Sequence, residues 1–314
     1  MDTYTLSFVI PVYNEGRQIY KNIIILTDLL SKNNINHEII LVDDGSRDNS
    51  WEEISKLCNN KPGIRAFRLS RNFGKESALC AGLDAVNSDA CVVMDADLQH
   101  PPELIPEMIR LWQEEGYDVV EGVKMSRGKE RIVNKLGAHL FYDVLYKLSG
   151  FDLNSASDFK LFNAKVLHAY RQMGEHNTFF RGMSEWVGFK RKKIPFHVAD
   201  RTEGTTKWPV TRLVKLAITA ITSFSSIPLH IVTILGIMFL IGSIILGIHT
   251  IYMKVSGGAL SGFTTVILLQ LIIGSTLMIS LGIIGTYIAK IFDEVKNRPR
   301  YLISQTVQSS KSKM

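Results

Sequence analysis

Asp95, Asp97 and Gln99 stand at alternate positions directly behind an apolar run, 90–94. A short apolar run bounded by polar residues reads as a buried strand. Carboxylates at the C-terminal end of such a strand sit where open α/β sheets bind ligands. In extended backbone alternate side chains share a face, so these three would point one way. A row of oxygen donors suits a hard divalent cation, Mg²⁺ or Mn²⁺, which keeps some water and also takes phosphate oxygens. The chemistry to expect is a metal bridging the diphosphate of a nucleotide. Asp-x-Asp spacing alone fits a solvated turn at least as well, ahead of the helix that Pro101, Pro102 and Glu103 begin. The rest of the chain shifts the balance to the metal.

The elements that would position these residues follow from periodicity. Apolar runs at 6–13, 37–42, 64–69, 90–94 and 117–121 read as strands. Helical patterns at about 17–31, 50–58, 75–86 and 102–115 alternate with them. Strands alternating with helices predict a mainly parallel sheet with helices on both faces. The strand ends at Tyr13-Asn14-Glu15 and Asp43-Asp44 then share a rim with Asp95-Ala96-Asp97. A carboxylate such as Asp43 or Asp44 can accept the imide N–H of uracil or a ribose hydroxyl, although turn and cap chemistry suits the pair equally. The chain has no Gly-x-Gly-x-x-Gly and no Gly-x-x-x-x-Gly-Lys-Ser/Thr, so phosphate charge must be met by metal and cationic side chains.

From 126 onward the pattern changes. Arg127, Lys129 and Arg131 precede an amphipathic helix over about 132–149, rich in Leu, Phe and Tyr, as an interfacial helix would be. Arg127 and Arg131, four apart, would project from one helix face and could grip a lipid phosphate. Asp158 lies between Ser157 and Phe159 ahead of a strand at 159–163, as a base or a turn residue. A polar loop carrying Arg201 and Lys207 leads into a second interfacial helix, 209–225, with Arg212 and Lys215 among apolar residues.

Segments 229–252 and 263–289 contain no Asp, Glu, Lys or Arg. Each exceeds the roughly 20 residues needed to cross hydrocarbon, which predicts two transmembrane helices. Gly282 and Gly285 allow close helix packing, including self-association into a homo-oligomer. The loop between the segments carries Lys254, whereas Lys207, Arg212 and Lys215 precede them and Lys290, Lys296, Arg298, Arg300, Lys311 and Lys313 follow. That asymmetry places both termini and the α/β domain in the cytoplasm, at the plasma membrane. No secretory signal is read at the N-terminus, and 304–314 reads as part of a basic polar tail over 290–314. The net charge of +6 over 314 residues is not gathered into a patch with interleaved aromatics, which argues against nucleic acid. Cys58, Cys80 and Cys91 form no CxxC pair, so neither a disulfide framework nor a zinc site is expected.

Together, Pro11-Val12-Tyr13-Asn14-Glu15, Val42-Asp43-Asp44-Gly45-Ser46, Asp95-Ala96-Asp97-Leu98-Gln99, Ser157-Asp158-Phe159 and the 201–207 loop carry a resemblance. Their order and spacing resemble a family 2 glycosyltransferase of the dolichol-phosphate mannose synthase type. The nearest likeness is to bacterial polyprenyl-phosphate glycosyltransferases with two C-terminal membrane helices. The resemblance implies a GT-A (Rossmann-like) α/β domain over 1–207, a juxtamembrane helix, a transmembrane hairpin over 228–289 and a divalent metal. It implies inverting transfer from a nucleotide sugar to polyprenyl phosphate, for cell-envelope glycosylation. UDP-glucose or UDP-N-acetylglucosamine is the expected donor; GDP-mannose, or a non-catalytic membrane scaffold, is the alternative. By the same resemblance Pro11, Tyr13, Glu15, Asp43 and Asp44 hold the nucleoside, and Asp95 and Ala96 lie near ribose or phosphate. Asp97 and Gln99 hold the metal, Arg127 and Arg131 the acceptor phosphate, and Arg201 and Lys207 close over the phosphates. Asp158 is the base or an orienting carboxylate. A processive polymer synthase would carry Gln-x-x-Arg-Trp, which is absent.

Overall fold

A computed structural model describes residues 4–124, 157–176, 178–196, 226–256 and 262–309. The chain divides into two compact units, Met1–Pro209 with Arg298–Met314, and Val210–Asn297.

The first unit opens with alternating elements: β1 Leu6–Val12, α1 Ile19–Lys32, β2 His37–Asp43, α2 Ser50–Asn60, β3 Ile64–Leu69, α3 Lys75–Asp84 and β4 Ala90–Val93. β3, β2, β1 and β4 lie side by side and parallel. β1 and β4 are apolar nearly throughout, as strands covered on both faces must be. α1 buries Ile19, Ile23, Leu26 and Leu30, one stripe at helical spacing. α3 crosses so close to β1 that a Cβ at Gly82 would lie 2.3 Å from Val9 Cγ1, which requires glycine there.

Beyond β4, a 3₁₀ turn at Pro102–Leu104 leads into α4 Ile105–Gln113 and β5 Val119–Lys124. Then come β6 Lys160–Asn163, α5 Ala164–Gln172, α6 Phe180–Trp186 and β7 Arg191–Phe196. β6 inserts antiparallel between β4 and β5, and β7 runs parallel to β5. The last strand, β8 Ile303–Gln308, adds antiparallel to β3, giving the order β7-β5-β6-β4-β1-β2-β3-β8. The sheet is therefore mixed. The polar tail expected over 304–314 begins as an edge strand, with Val307 half-buried and its polar side chains in solvent. All three cysteines are buried and free.

The second unit contributes two helices, α7 Ile227–Val255 and α8 Phe263–Val295. At 29 residues α7 spans about 44 Å, more than the hydrocarbon core of a bilayer. Both helices are long and apolar enough to cross a membrane. α7 buries none of its residues, and Leu240 is 61% exposed.

One buried ion pair ties β5 to β6. Glu121 and Lys160 face each other in register, with Lys160 Nζ 3.2 Å from Glu121 Oε1 and side-chain exposures of 0% and 1%. Lys160 Nζ also donates to Ser184 Oγ at 2.6 Å, which joins α6 to the pair. Removing one partner strands a buried charge, which costs about 3–5 kcal/mol. Lys160→Met is thus expected to lower the unfolding midpoint sharply, and adding Glu121→Leu to recover most of the loss. Thermal unfolding in detergent checks both, and an unchanged midpoint for the single variant defeats the expectation.

Candidate active site

The site is built where β1, β2, β3 and β4 end. The loops after β1 and β2 are knitted together by main-chain donors. Asn14 N–H donates to Ser46 Oγ (2.9 Å), Glu15 N–H to Ser50 Oγ (2.8 Å) and Gly16 N–H to Asp48 Oδ2 (3.0 Å). Asn14 itself sits in the left-handed region at φ 56° and accepts from Arg47 N–H through its side chain. Gly45, at φ 65°, lets the β2 loop press on the β3 loop, since a Cβ there would lie 2.5 Å from the Arg71 carbonyl carbon.

Asp43 and Asp44 work differently from each other. Asp43 is fully buried, pairs with Arg68 at 3.2 Å and accepts from Ser46 N–H at 3.1 Å. Burial pushes its carboxyl upward against those partners. Asp44 faces the rim and accepts the N–H groups of Phe73 (2.7 Å) and Gly74 (3.0 Å). It thereby fixes the loop that delivers Lys75.

The loop after β4 is pinned by Asn22, which donates to the Ala96 carbonyl at 2.8 Å, and by His100 Nδ1, which accepts Asp95 N–H at 3.3 Å. The single row expected of Asp95, Asp97 and Gln99 does not form. Leu98 adopts φ 53°, and Gln99 N–H turns back to Asp97 Oδ1 at 3.1 Å. A side chain can align with its second neighbour only while the backbone stays extended.

Pro11, Tyr13, Glu15, Asp44, Asp95, Ala96 and Asp97 converge on one cleft of about 330 Å³, together with Asn72, Gly74 and Lys75. Of the sequence-derived nucleotide residues, only Asp43 lies behind the lining, and Gln99 is outside it as well. Arg127, Arg131, Arg201 and Lys207, and the helices expected at 132–149 and 209–225, fall outside the described residues.

The sequence does not single out Lys75. Its ammonium lies 2.6 Å from Asp95 Oδ1 and 2.5 Å from Asp158 Oδ2. Arg181, from α6, closes on the same Asp158 with Nε to Oδ1 at 2.7 Å and Nη2 to Oδ2 at 3.2 Å. Burial opposes ionisation of Asp158, but Arg181 and then Lys75 outweigh it and hold the carboxyl well below the usual range. A carboxylate so held is a weak base. The only hint of Lys75 in the sequence is Gly74-Lys75 opening a helix on the ligand-binding rim, and Arg181 has no local signal.

The residues fit a divalent cation in part. Among the described residues no three His, Cys, Asp or Glu side chains gather closely enough to hold a metal by themselves. Exposed Asp97 and half-buried Asp95 do face the cleft beside Glu15. Burial raises the Glu15 carboxyl, and Asp97, Asp48 and Asp95 raise it further. Clustered negative charge that a hard cation relieves, in a partial donor set that phosphate oxygens complete, is the arrangement such ions use.

Glu76, next to Lys75, makes a further prediction. Its Oε2 accepts the Phe180 N–H at 2.6 Å, at the start of α6. Burial pushes its carboxyl up to about 7 from an ordinary 4.5, and Phe180 N–H donation opposes this. Asp158 raises it further, while Lys75 and Arg181 pull down. A raised folded-state value means stability that is full below about pH 4.5 and lost as pH rises through about 7. Glu76→Gln keeps the acceptor and removes the titration. The wild type is expected to lose on the order of 2–3 kcal/mol relative to Glu76→Gln between about pH 5 and 8. Unfolding midpoints of both proteins across that range test it, and parallel curves would refute it.

Carboxylates and a lysine gathered at the strand ends of a mixed α/β sheet form a cleft of the kind that holds a nucleotide and its diphosphate. The chain belongs to glycosyl transferase family 2, whose model matches residues 7–174. The uncharacterized glycosyltransferase YkcC of Bacillus subtilis is 36% identical over 302 residues, covering 96% of this chain and 93% of that protein. The prophage bactoprenol glucosyl transferase homolog of Escherichia coli K12 is 34% identical over 305 residues, covering 96% and 98%. Among solved structures, a glucosyl-3-phosphoglycerate synthase from Mycobacterium tuberculosis matches 70% of this chain and 79% of its own at 22% identity, with a TM-score of 0.47.

Proposed function

We propose that this glycosyltransferase moves glucose from UDP-glucose to a polyprenyl phosphate at a membrane surface. The observation that carries the reading is near-full-length similarity to bactoprenol glucosyl transferases, including one from Shigella phage SfX at 34% identity over 95% of this chain. The alignment spans the catalytic unit and the apolar helices alike. Exposed apolar helices longer than a bilayer core support a membrane setting for it. Chain connectivity supports both flanks of the hairpin lying on one side of the membrane. The helical unit leaves the catalytic unit near 209 and returns to it near 298, so two crossings would bring the chain back to one side.

In this reading the cleft takes the nucleotide, with Pro11 and Tyr13 beside the base and Asp44 within reach of a donor group. Asp97 and Asp95 would hold a Mg²⁺ or Mn²⁺ ion together with the diphosphate, and that ion supplies charge stabilisation to the leaving group. Lys75 directs its own positive charge into the same space. An oxygen of the acceptor phosphate attacks the anomeric carbon while the bond from that carbon to UDP breaks. The acceptor is already largely ionised at pH 7, its second pKa being about 6, so little is asked of a general base. Asp158 then acts by holding Lys75 and Arg181, not by taking a proton.

The test is a donor panel. Purified protein in detergent receives undecaprenyl phosphate, a divalent cation and one labelled nucleotide sugar at a time, with and without EDTA. Label from UDP-glucose alone passing into extractable lipid in a metal-dependent way supports the whole reading. Label from UDP-N-acetylglucosamine or GDP-mannose keeps the reaction and replaces the sugar. No lipid product from any donor overturns it.

A further inference from the structure

We infer that the segment after α8, residues 300–308, is a positioning strap for the nucleotide-binding rim; this rests on the function proposed above. The strap grips the strand that enters one loop and, farther along, the helix that leaves it. On the incoming side β8 pairs with β3 from Arg65 to Leu69, and the ladder has an irregularity between Arg68 and Leu69. There Ser304 Oγ donates to the Arg68 carbonyl at 3.1 Å, and Ser70 N–H donates to the Leu302 carbonyl at 2.8 Å. On the helix that leaves the loop, Tyr301 Oη donates to Asp84 Oδ2 at 2.9 Å, at the last residue of α3. Arg300 donates to the Met173 carbonyl after α5 and lies 3.8 Å from Cys80 Sγ on α3.

Between those grips run the 70–74 loop and the first turns of α3. The loop presents two N–H groups to Asp44 and leads into α3 at Lys75, so it carries two of the cleft's contacts. The gripped strand also carries Arg68, whose side chain pairs with Asp43 and donates to the Ser46 carbonyl at 3.2 Å. β3 without β8 would be an edge strand, and edge strands and their loops open most easily. The strap removes that freedom where a small shift would move Lys75 and Asp44 together. Side chains held near productive geometry depend on such supporting contacts.

The test uses the full-length protein with Arg300→Ala and Tyr301→Phe together, and Arg300→Lys as a milder partner that keeps a donor. Hydrogen exchange at the Phe73 and Gly74 amides is measured alongside UDP binding by calorimetry. Donor and acceptor KM and the unfolding midpoint complete the set. The expected result is faster exchange over 70–74 and UDP affinity weakened about tenfold, as for other supporting partners. Donor KM rises in step, acceptor KM stays level, and Arg300→Lys recovers part of the affinity. Unchanged exchange at 70–74 overturns the strap. So does an equal loss toward both substrates with a lowered midpoint, which marks a merely structural role. If the wild type binds no UDP, the proposed function fails, and the exchange rates still decide whether the strap orders the loop.

Discussion

Replacing Lys75 by methionine is expected to lower kcat/KM by on the order of 10²–10³-fold, the usual loss when one preorganised charge-stabilising donor is removed from a reaction site. Lys75 is the cation shared between Asp95, in the cleft, and Asp158, behind it. Burial works against its charge, yet Asp158 and then Asp95 hold its ammonium above the ordinary value, so it stays charged. Methionine fills similar space with no charge. Asp158 keeps Arg181, but Asp95 is left facing Glu15 and Asp97 without its lysine, and three carboxylates then repel one another and the incoming diphosphate. Stability should change little by comparison. The Lys75 side chain is 41% exposed, and ion pairs screened by water are worth only about 0–1 kcal/mol. Lys75→Arg should recover only part of the rate, because a planar guanidinium does not replace a compact ammonium seated between two carboxylates. Steady-state kinetics with a matched unfolding curve reads both effects. A Lys75→Met enzyme within about threefold of wild type, well under one decade in rate, removes Lys75 from the reaction.

Much of this site was readable in the sequence because its residues sit where strands end, and strand ends are marked by composition. Pro11, Tyr13, Glu15, Asp44, Asp95, Ala96 and Asp97 lie at or just beyond the ends of apolar runs and meet in one cleft. Lys75 and three further features escape that signal. The Asp95–Gln99 stretch reads as extended, but Leu98 takes a left-handed conformation that its residue type does not announce. Asp43 and Asp44 look alike on paper, and only the register of β2 decides that one turns inward to Arg68 and the other toward the rim. Arg181 approaches Asp158 from 23 positions away, on a helix whose packing no local pattern specifies. The C-terminal strand is hidden in the sequence for a related reason. Ile303–Gln308 is polar enough to be a solvated tail, and it becomes a strand because β3 offers an open edge.

Asp97→Asn is expected to reduce turnover by roughly 10³-fold, about 4 kcal/mol of lost charge stabilisation at the diphosphate. The substitution is chosen because it separates charge from structure. Asp97 is exposed, and its one hydrogen bond among the described residues accepts Gln99 N–H through Oδ1, which an asparagine oxygen can still do. The turn at Leu98 should therefore survive and the unfolding midpoint should stay near that of the wild type. Removing the Asp97 charge also lets the Glu15 carboxyl fall back toward its ordinary value, since Asp97 is the first neighbouring charge that raises it. Asp95→Asn would not give so clean a result, because it also breaks the pair with Lys75. The readout that singles out a metal-holding role is binding. UDP affinity of the wild type should tighten when Mg²⁺ or Mn²⁺ is added and relax with EDTA, whereas Asp97→Asn should bind UDP with little response to either. If the variant loses turnover but keeps the full metal response, Asp97 acts on the sugar or the acceptor instead, and the ion belongs to other oxygens of the cleft.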